Sequence, residues 1–361
     1  MGVLKYLSEQ VADPEFKILL GSSAGAINVA ALASQTENFK QSVENMVHIW
    51  SNIRIEQVLR IDFLSLSRMA FSWIFNLLFS GLTGKSIVNS LIDSTPLRSL
   101  IFQIFKPEKV KANLESGKFE TLAVVATEVS SASSVTFVQG QNHNQWKRAN
   151  RRSEAAVISH KHILASSAIP FLFKSIRIGH RQFLDGSVRS NTPLSPAARL
   201  GATEIFSIGV RKVAAPSNPI NLQSAEFESE PTVAQIAGLV LNSLFSDSLD
   251  SDADHLVRIN QLLTHVDHDM AQRTVGMKPI NVFLLRPSED IGKIAKQYSY
   301  CLPFFLRLLL RSLGSEKSQS SDIVSYLLFD SRYAKHLIDL GYRDAEKAKT
   351  EMLQFFKGSK V

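Results

Sequence analysis

The stretch that decides the fold is FKILLGSSAGAINVAALA, residues 16–33. Its apolar start, residues 16–20, predicts a short strand, and the alanine-rich run Ala24–Ala33 predicts a helix, so the chain turns from strand to helix between them. The turn itself, GSSAG at residues 21–25, matches G-x-S-x-G, in which two glycines flank a serine on a strained strand-to-helix turn. Ser23 is therefore the candidate nucleophile.

The spacing of this pattern has a steric and an electrostatic reason. We expect Gly21 and Gly25 to be pressed together at the turn, where a side chain at either position would clash. Ser23 would then stand at a helix N-terminus, where the helix dipole and the free N–H of Ala24 stabilise the oxyanion formed when an ester carbonyl is attacked. On these five residues alone, a glycine-rich turn with a surface serine stays open as the other interpretation.

Strand-like and helix-like segments alternate along the rest of the chain. Further strands are predicted at residues 122–127, 135–138, 176–178, 182–184, 205–210 and 280–285. Residues 176–184 predict a hairpin that Asp185 closes, and residues 214–231 read as a polar linker. Strands separated by helices favour a parallel sheet with helices on both faces, so the predicted fold class is α/β.

A serine nucleophile needs a base, and α/β-hydrolases supply an acid and then a histidine after the serine. The histidines that follow Asp185 lie in no recognisable setting; they are His255, His265, His268 and His336. Only twenty residues precede Gly21, and they cannot hold the strands and oxyanion loop that come before an α/β-hydrolase elbow. The histidine-triad interpretation is therefore weakened.

Three stretches carry further motifs in a fixed order: GSSAGAINVAALAS (21–34), ILASSAIPFLF (163–173) and FLDGSVRSNTPLSPAARLGATEIFSI (183–208). They resemble the patatin-like phospholipases, whose marks are a G-x-S-x-G elbow, an A-S-x-A-x-P segment and a D-G-[GAS] turn. The resemblance implies a three-layer α/β/α sandwich with a mostly parallel central sheet. It also implies an acyl hydrolase domain over residues 1–290, followed by a helical C-terminal extension over 291–361.

The resemblance implies a Ser–Asp dyad without histidine, in which Ser23 is the nucleophile and Asp185 the general base. Gly186 would let the backbone turn so that the carboxylate faces Ser23. Such a carboxylate can accept the hydroxyl proton during attack, and partial burial should make it a stronger base. The predicted function is hydrolysis of carboxylic esters of lipids, as a phospholipase A or carboxylesterase, through an acyl-serine intermediate. No metal or organic cofactor is expected.

One departure from the family pattern concerns the oxyanion hole. Family members begin with a strand and a G-G-G-x-[RK]-G loop before the helix that GVLKYL (2–7) resembles, whereas this sequence begins at Met1. On that expectation the N–H of Ala24 is the one evident oxyanion donor, and losing such a donor typically slows catalysis by about 10²- to 10³-fold. A catalytically inactive, lipid-binding or scaffolding protein is therefore the alternative function.

The composition limits which partners the protein can bind and where in the cell we expect it. The 361 residues are 45% hydrophobic and carry a net charge of +7, which indicates a globular protein that favours anionic partners. Residues 69–82 and 301–313 approach membrane hydrophobicity, but both are shorter than the ~20 residues of a spanning helix. With no signal peptide or nucleic-acid module evident, we expect a cytoplasmic protein, and peripheral contact with an anionic membrane stays open.

A cluster of four basic residues is the strongest local charge, and it consists of Lys147, Arg148, Arg151 and Arg152. It either faces anionic headgroups or forms a solvated basic loop, and the sequence favours the loop.

Overall fold

The computed structural model describes residues 1–60, 93–140, 145–170, 172–189, 194–212, 248–265, 278–304, 306–308 and 321–358. The chain divides into two compact units. The sheet unit consists of Asp13–Met46 and Arg54–Ala202, and the helix unit consists of Met1–Ala12, Val47–Ile53 and Thr203–Val361. The domain boundary expected at residue 290 stays a prediction.

The helices, in chain order, are α1 (Gly2–Gln10), α2 (Ala24–Ala33), α3 (Phe39–Ser51), α4 (Thr95–Ile104), α5 (Pro107–Glu115), α6 (His160–Ser166), α7 (Ser195–Arg199), α8 (Ser248–Leu263), α9 (Ile291–Gln297), α10 (Ser321–Leu327), α11 (Ser331–Lys347) and α12 (Lys349–Gly358). The strands are β1 (Ile18–Ser22), β2 (Thr121–Glu128), β3 (Ser133–Gly140), β4 (Lys147–Arg148), β5 (Arg151–Ala155), β6 (Ile176–Ile178), β7 (Arg181–Asp185), β8 (Glu204–Ile208) and β9 (Asn281–Leu285). The mixture of strands and helices confirms the α/β class.

The sheet unit contains a seven-stranded sheet in the order β4-β5-β3-β2-β7-β6, and β1 also pairs with β2. Only β1–β2 and β3–β5 are parallel, and the other four pairings are antiparallel. The prediction of a mostly parallel sheet is therefore wrong for the described residues. Residues 129–132 and 179–180 join two of the antiparallel pairs, and connections this short allow hairpins but no crossover helix.

Strand β2 organises the sheet because it holds two strands end to end along one edge. Its first five residues pair with β1 and its last three with β7, while β3 covers the other edge. Ser22 pairs with Val125, and Asp185 pairs with the next residue, Ala126. Since β1 runs parallel to β2 and β7 runs antiparallel, the carboxyl ends of β1 and β7 meet at this point.

The core of the sheet unit combines aromatic rings on the strands with small residues on α2. Phe137 on β3 and Phe183 on β7 are buried, and both strands pair with β2. Their ring centroids lie 5.3 Å apart in an edge-to-face arrangement. Helix α2 packs on β1 and β2 through buried alanines such as Ala26 and Ala30. The alanine-rich sequence thus lets the helix that follows the predicted nucleophile lie close to the sheet.

In the helix unit, β8 and β9 form a two-stranded parallel sheet, as the predicted strands at 205–210 and 280–285 suggest. Phe206 and Phe283 stack across this pair at 5.3 Å between centroids. Helix α1 packs on α11, and a Cβ at Gly2 would overlap the carbonyl oxygen of Ile338. In the described parts of the chain, no helix combines the length and apolar character needed to cross a bilayer. Residues 69–82 and 214–231 lie outside those parts.

Candidate active site

Ser23 lies between β1 and α2, so the predicted strand–turn–helix context is confirmed. Its backbone has φ 54° and ψ −129°, a left-handed conformation that residues with a side chain rarely adopt. Such conformations cost on the order of 1–3 kcal/mol and persist only where the surroundings enforce them. The turn therefore stores strain at the residue whose hydroxyl is presented at the start of α2.

The two glycines of the elbow have different steric environments. A Cβ at Gly21 would lie 2.5 Å from the carbonyl carbon of Gly25, too close for any side chain. A Cβ at Gly25 would meet nothing within 4 Å. The expectation that both positions exclude a side chain is therefore wrong for Gly25, because its Cβ direction points into open space beside the start of α2.

The Ser23 hydroxyl donates a hydrogen bond of 2.6 Å from Oγ to Oδ2 of Asp185. The other carboxylate oxygen, Oδ1, accepts the N–H of Ser187 at 2.8 Å. Asp185 is completely buried, whereas Ser23 is partly exposed. One carboxylate oxygen is thus fixed by the backbone, and the other is free to take the proton of an accessible hydroxyl.

The backbone around Asp185 is held by its neighbours on both sides. The N–H of Asp185 donates to Ala168 at 2.9 Å, and the Thr127 hydroxyl donates to the carbonyl of Asp185 at 2.8 Å. A Cβ at Gly186 would overlap the carbonyl oxygen of Val125 and lie 2.5 Å from Ser22 Oγ. Gly186 is therefore required for close approach of the D-G turn to β2 and to the elbow.

Burial raises the pKa of Asp185 to about 6, and the hydrogen bonds from Ser23 and Ser187 oppose this rise only in part. A carboxylate with this pKa is still largely ionised at neutral pH. It is also a stronger base than an exposed aspartate, whose pKa is about 3.9. The site thus contains a hydroxyl and an ionised base in direct contact.

The family model of the patatin-like phospholipases matches residues 1–198, more than half of the 361 residues. The chain belongs to the patatin-like phospholipase family. Both Ser23 and Asp185 lie within the matched residues of this patatin-like domain. Lipid esters are the substrates on which the family acts. Comparison with curated proteins finds no match.

Ser166 is a site residue of the patatin-like domain that the sequence analysis missed. Its hydroxyl accepts the backbone N–H of Ser23 at 3.0 Å and donates to the carbonyl of Val125 at 2.6 Å. Ser166 is 0% exposed, so its hydroxyl bridges the elbow and strand β2 inside the protein. Ser166 is the serine of the A-S-x-A-x-P segment, and this motif is the sequence signal that could have identified it.

Ala24, the residue that the sequence predicts as an oxyanion donor, stands directly after Ser23 in the patatin-like domain. It is the first residue of α2 and is exposed, and no described residue accepts a hydrogen bond from its N–H. The N–H of Ser23 is already bound to Ser166. The N-terminal end of α2 carries the positive pole of the helix dipole, which favours a negative oxygen at this position.

Within the described residues of the sheet unit, no histidine is hydrogen-bonded to Ser23 or Asp185. His336 Nδ1 lies 3.0 Å from the Tyr298 hydroxyl, and His265 Nδ1 lies 3.0 Å from the Gln261 carbonyl. His255 lies in α8 of the helix unit, and His268 lies outside the described residues. In the chain segments that the structure describes, no three or more His, Cys, Asp or Glu residues form a group that could hold a metal ion.

Proposed function

We propose that this patatin-like protein hydrolyses carboxylic esters of lipids with Ser23 as nucleophile and Asp185 as general base. The observation that carries the proposal is the 2.6 Å hydrogen bond from Ser23 Oγ to Asp185 Oδ2. A nucleophile and base within this distance can exchange a proton without any rearrangement. Family membership supports lipid esters as the substrate class.

In the acylation step, Ser23 Oγ attacks the ester carbonyl carbon while its proton passes to Oδ2 of Asp185. The carbonyl oxygen becomes an oxyanion, which the N–H of Ala24 and the start of α2 stabilise. When the intermediate collapses, the bond to the leaving alcohol breaks and Asp185 returns the proton to that oxygen. The products of this step are the free alcohol and an acyl ester on Ser23.

In the deacylation step, a water molecule takes the place of the alcohol. Asp185 accepts one proton from the water as its oxygen attacks the acyl carbonyl, and the same N–H group stabilises the second oxyanion. Collapse breaks the bond to Ser23 Oγ, which regains its proton from Asp185. The net reaction consumes one water and releases one carboxylic acid, and no step of this scheme uses a metal or an organic cofactor.

The raised pKa of Asp185 supports its role as the base. General-base catalysis is most efficient when the pKa of the base lies near the working pH. A value of about 6 leaves the carboxylate ionised at pH 7 and makes proton transfer from the hydroxyl less unfavourable than an ordinary aspartate would.

A fluorophosphonate probe tests the proposal because it reacts with activated serine hydroxyls. The native protein should be labelled, and Ser23→Ala should abolish labelling and nitrophenyl ester hydrolysis together. Ser22→Ala is the matched control, since Ser22 is the adjacent residue and has no hydrogen bond to Asp185 in the structure. Labelling that survives in Ser23→Ala would move the nucleophile elsewhere. Folded native protein that is neither labelled nor active would favour the lipid-binding alternative.

A further inference from the structure

Asp185 is the last residue of β7, and it lies where two strands share one edge of β2. Asp185 pairs with Ala126, and the neighbouring position of β2, Val125, is already paired with Ser22 of β1. Strand β7 therefore cannot continue along β2, and the chain turns at Gly186 instead. The peptide groups of this turn need hydrogen-bonding partners other than the backbone of β2.

The carbonyl group of Asp185 obtains its partner from a side chain. The N–H of Asp185 donates to Ala168 at 2.9 Å, and in an antiparallel ladder the N–H and C=O of one residue bond on the same side. The carbonyl therefore also lies outside the ladder, where the hydroxyl of Thr127 donates to it at 2.8 Å. Thr127 is 4% exposed, so water does not compete for this bond.

The same hydroxyl faces the next carbonyl of the turn. Thr127 Oγ1 lies 3.5 Å from the carbonyl oxygen of Gly186. That oxygen belongs to the same peptide group as the N–H of Ser187, which donates to Oδ1 of Asp185 at 2.8 Å. One buried hydroxyl thus contacts both peptide groups of the turn, and the second of these groups fixes the carboxylate.

We propose that Thr127 is a positioning residue for the general base and acts through the backbone of residues 185–187. Its hydroxyl holds the turn in the orientation in which the N–H of Ser187 binds Oδ1 and leaves Oδ2 facing the hydroxyl of Ser23. This inference rests on the proposed function of Asp185 as the base and extends it to a residue of the neighbouring strand.

Strand β2 then supports both halves of the dyad. The carbonyl of Val125 accepts the hydroxyl of Ser166, which in turn accepts the N–H of Ser23, while Thr127 holds the backbone of Asp185. Val125 and Thr127 are two residues apart, a span of ~6.6 Å in an extended strand. The separation of nucleophile and base is therefore set by two neighbouring points on one buried strand.

The pKa of Asp185 reports the hydrogen bonds at its carboxylate. Burial raises this pKa to about 6, and the donors that oppose the rise, Ser23 and Ser187, are uncharged. Glu128 on β2 and Arg181 on β7 form an ion pair at 3.7 Å, and burial lowers the pKa of His162 on α6 to about 4. The other charged or titratable side chains on α6 and after the turn are those of His160, which stacks on Phe102, of Lys161, and of Arg189, which donates to Ala132.

Replacing the hydroxyl tests the proposal in the full chain. Thr127→Val removes the hydroxyl with little change of shape, so the N–H of Ser187 is no longer held at Oδ1 and the ionised carboxylate loses support. We expect the acid limb of kcat/KM to move to higher pH by about half a unit. At pH 7, kcat/KM should fall at least ~10-fold, because Oδ2 leaves its position against Ser23. Thr127→Ser retains the hydroxyl and should behave as the native protein does.

Thr121→Val is the matched control. Thr121 is also buried on β2, on the same face as Thr127 but six residues earlier, a distance of ~20 Å along the strand. A double substitution tests the route, since Thr127→Val should cause no further loss of kcat/KM in Asp185→Asn if it acts through the base. Equal effects of Thr121→Val and Thr127→Val, a failure of Thr127→Ser to preserve the rate, or a full further loss in Asp185→Asn would overturn the proposal.

A second measurement does not depend on hydrolysis. Carbon NMR of protein labelled in its aspartate carboxyl groups gives the pKa of Asp185, whose signal is the one that Asp185→Asn removes. This pKa should rise in Thr127→Val and stay unchanged in Thr127→Ser and Thr121→Val, even in a protein that proves inactive on esters. Thr127→Ala replaces Thr127→Val should the latter not fold. An unchanged pKa in the folded variant without the hydroxyl would overturn the positioning role, whatever the outcome for the proposed function.

Discussion

The backbone N–H of Ser23 donates a 3.0 Å hydrogen bond to the hydroxyl of Ser166. The Ser166 hydroxyl in turn donates a 2.6 Å hydrogen bond to the carbonyl oxygen of Val125, so the strained elbow is tied to strand β2. Because Ser166 is completely buried, water cannot replace its hydroxyl without opening the core. The backbone N–H of Ser23, a residue in a left-handed conformation, thus has a specific hydrogen-bonding partner.

Replacing this partner should release the elbow. We expect Ser166→Ala to lower the free energy of unfolding by about 1–3 kcal/mol, the usual effect of leaving a buried donor unpaired. We also expect it to reduce kcat/KM for a nitrophenyl ester at least tenfold, because Ser23 Oγ would leave its position against Asp185. Urea denaturation and steady-state kinetics measure the two effects.

Ser167→Ala is the control for this substitution. Ser167 follows Ser166 and is also buried, but its hydroxyl donates to the carbonyl of Ile163 one helical turn earlier. Equal kcat/KM losses in the two variants would show that the Ser166 hydroxyl has no special relation to the elbow.

The pH dependence of hydrolysis should report the ionisation of Asp185. The base must be ionised to accept the Ser23 proton, so kcat/KM should fall as the pH is lowered through about 6. Asp185→Asn should lose at least ~10²-fold in rate and should lack this acid limb. The measurement is a rate profile from pH 4.5 to 9 on protein shown to be folded throughout. If kcat/KM of the native protein fell only near pH 4, the base would be an ordinary, exposed carboxylate.

Stability should also depend on the charge of Asp185, with a definite sign. A buried acid with a raised pKa contributes stability below its ordinary pKa of 3.8 and loses that contribution as the pH rises through about 6. The difference between these pKa values corresponds to ~3 kcal/mol. The unfolding free energy of Asp185→Asn relative to the native protein should therefore rise by up to ~3 kcal/mol between pH 4 and pH 8. A difference that is constant over this range would contradict the assignment.

The two elbow glycines should respond differently to alanine. Gly21→Ala should prevent stable folding or lower the free energy of unfolding by more than ~3 kcal/mol, because its Cβ would overlap the backbone of Gly25. Gly25→Ala should be neutral or should raise stability by up to ~1 kcal/mol, since Gly25 lies in a helix with open space around it. Thermal unfolding monitored by circular dichroism compares the two. Equal destabilisation by the two substitutions would mean that neither glycine position has room for a side chain.

Much of the site could be predicted from local sequence because its parts are short and contiguous. The apolar run, the GSSAG turn and the alanine-rich helix all lie within residues 16–33, and each pattern determines its own backbone. The hairpin that ends at Asp185 is equally local. These local patterns do not show that the two parts lie together in the fold, because Ser23 and Asp185 are 162 residues apart in the sequence. Only the resemblance to the family linked them before the fold was known.

Other features of the sheet and of the site could not be predicted from local sequence patterns. Strand β2 is buried along its whole length, which is the pattern of a central parallel strand, yet it forms antiparallel pairs with β3 and β7. The Ser166 hydrogen bond to Ser23 spans 143 residues, and no periodicity predicts it. The basic residues at 147–152 alternate between two faces, which a reading of charge alone does not show.

Because β7 pairs with β2 in one register, each molecule either has the complete site or lacks it. Slipping one strand by one residue turns every side chain of that strand to the other face of the sheet. If Asp185 moved one place from Ala126, its carboxylate would point away from Ser23, and no intermediate register exists. A preparation that contains misfolded chains should therefore hold fully active molecules and inert ones, with none of reduced activity. Titration with a covalent inhibitor would then count the correctly paired molecules and so measure folding yield.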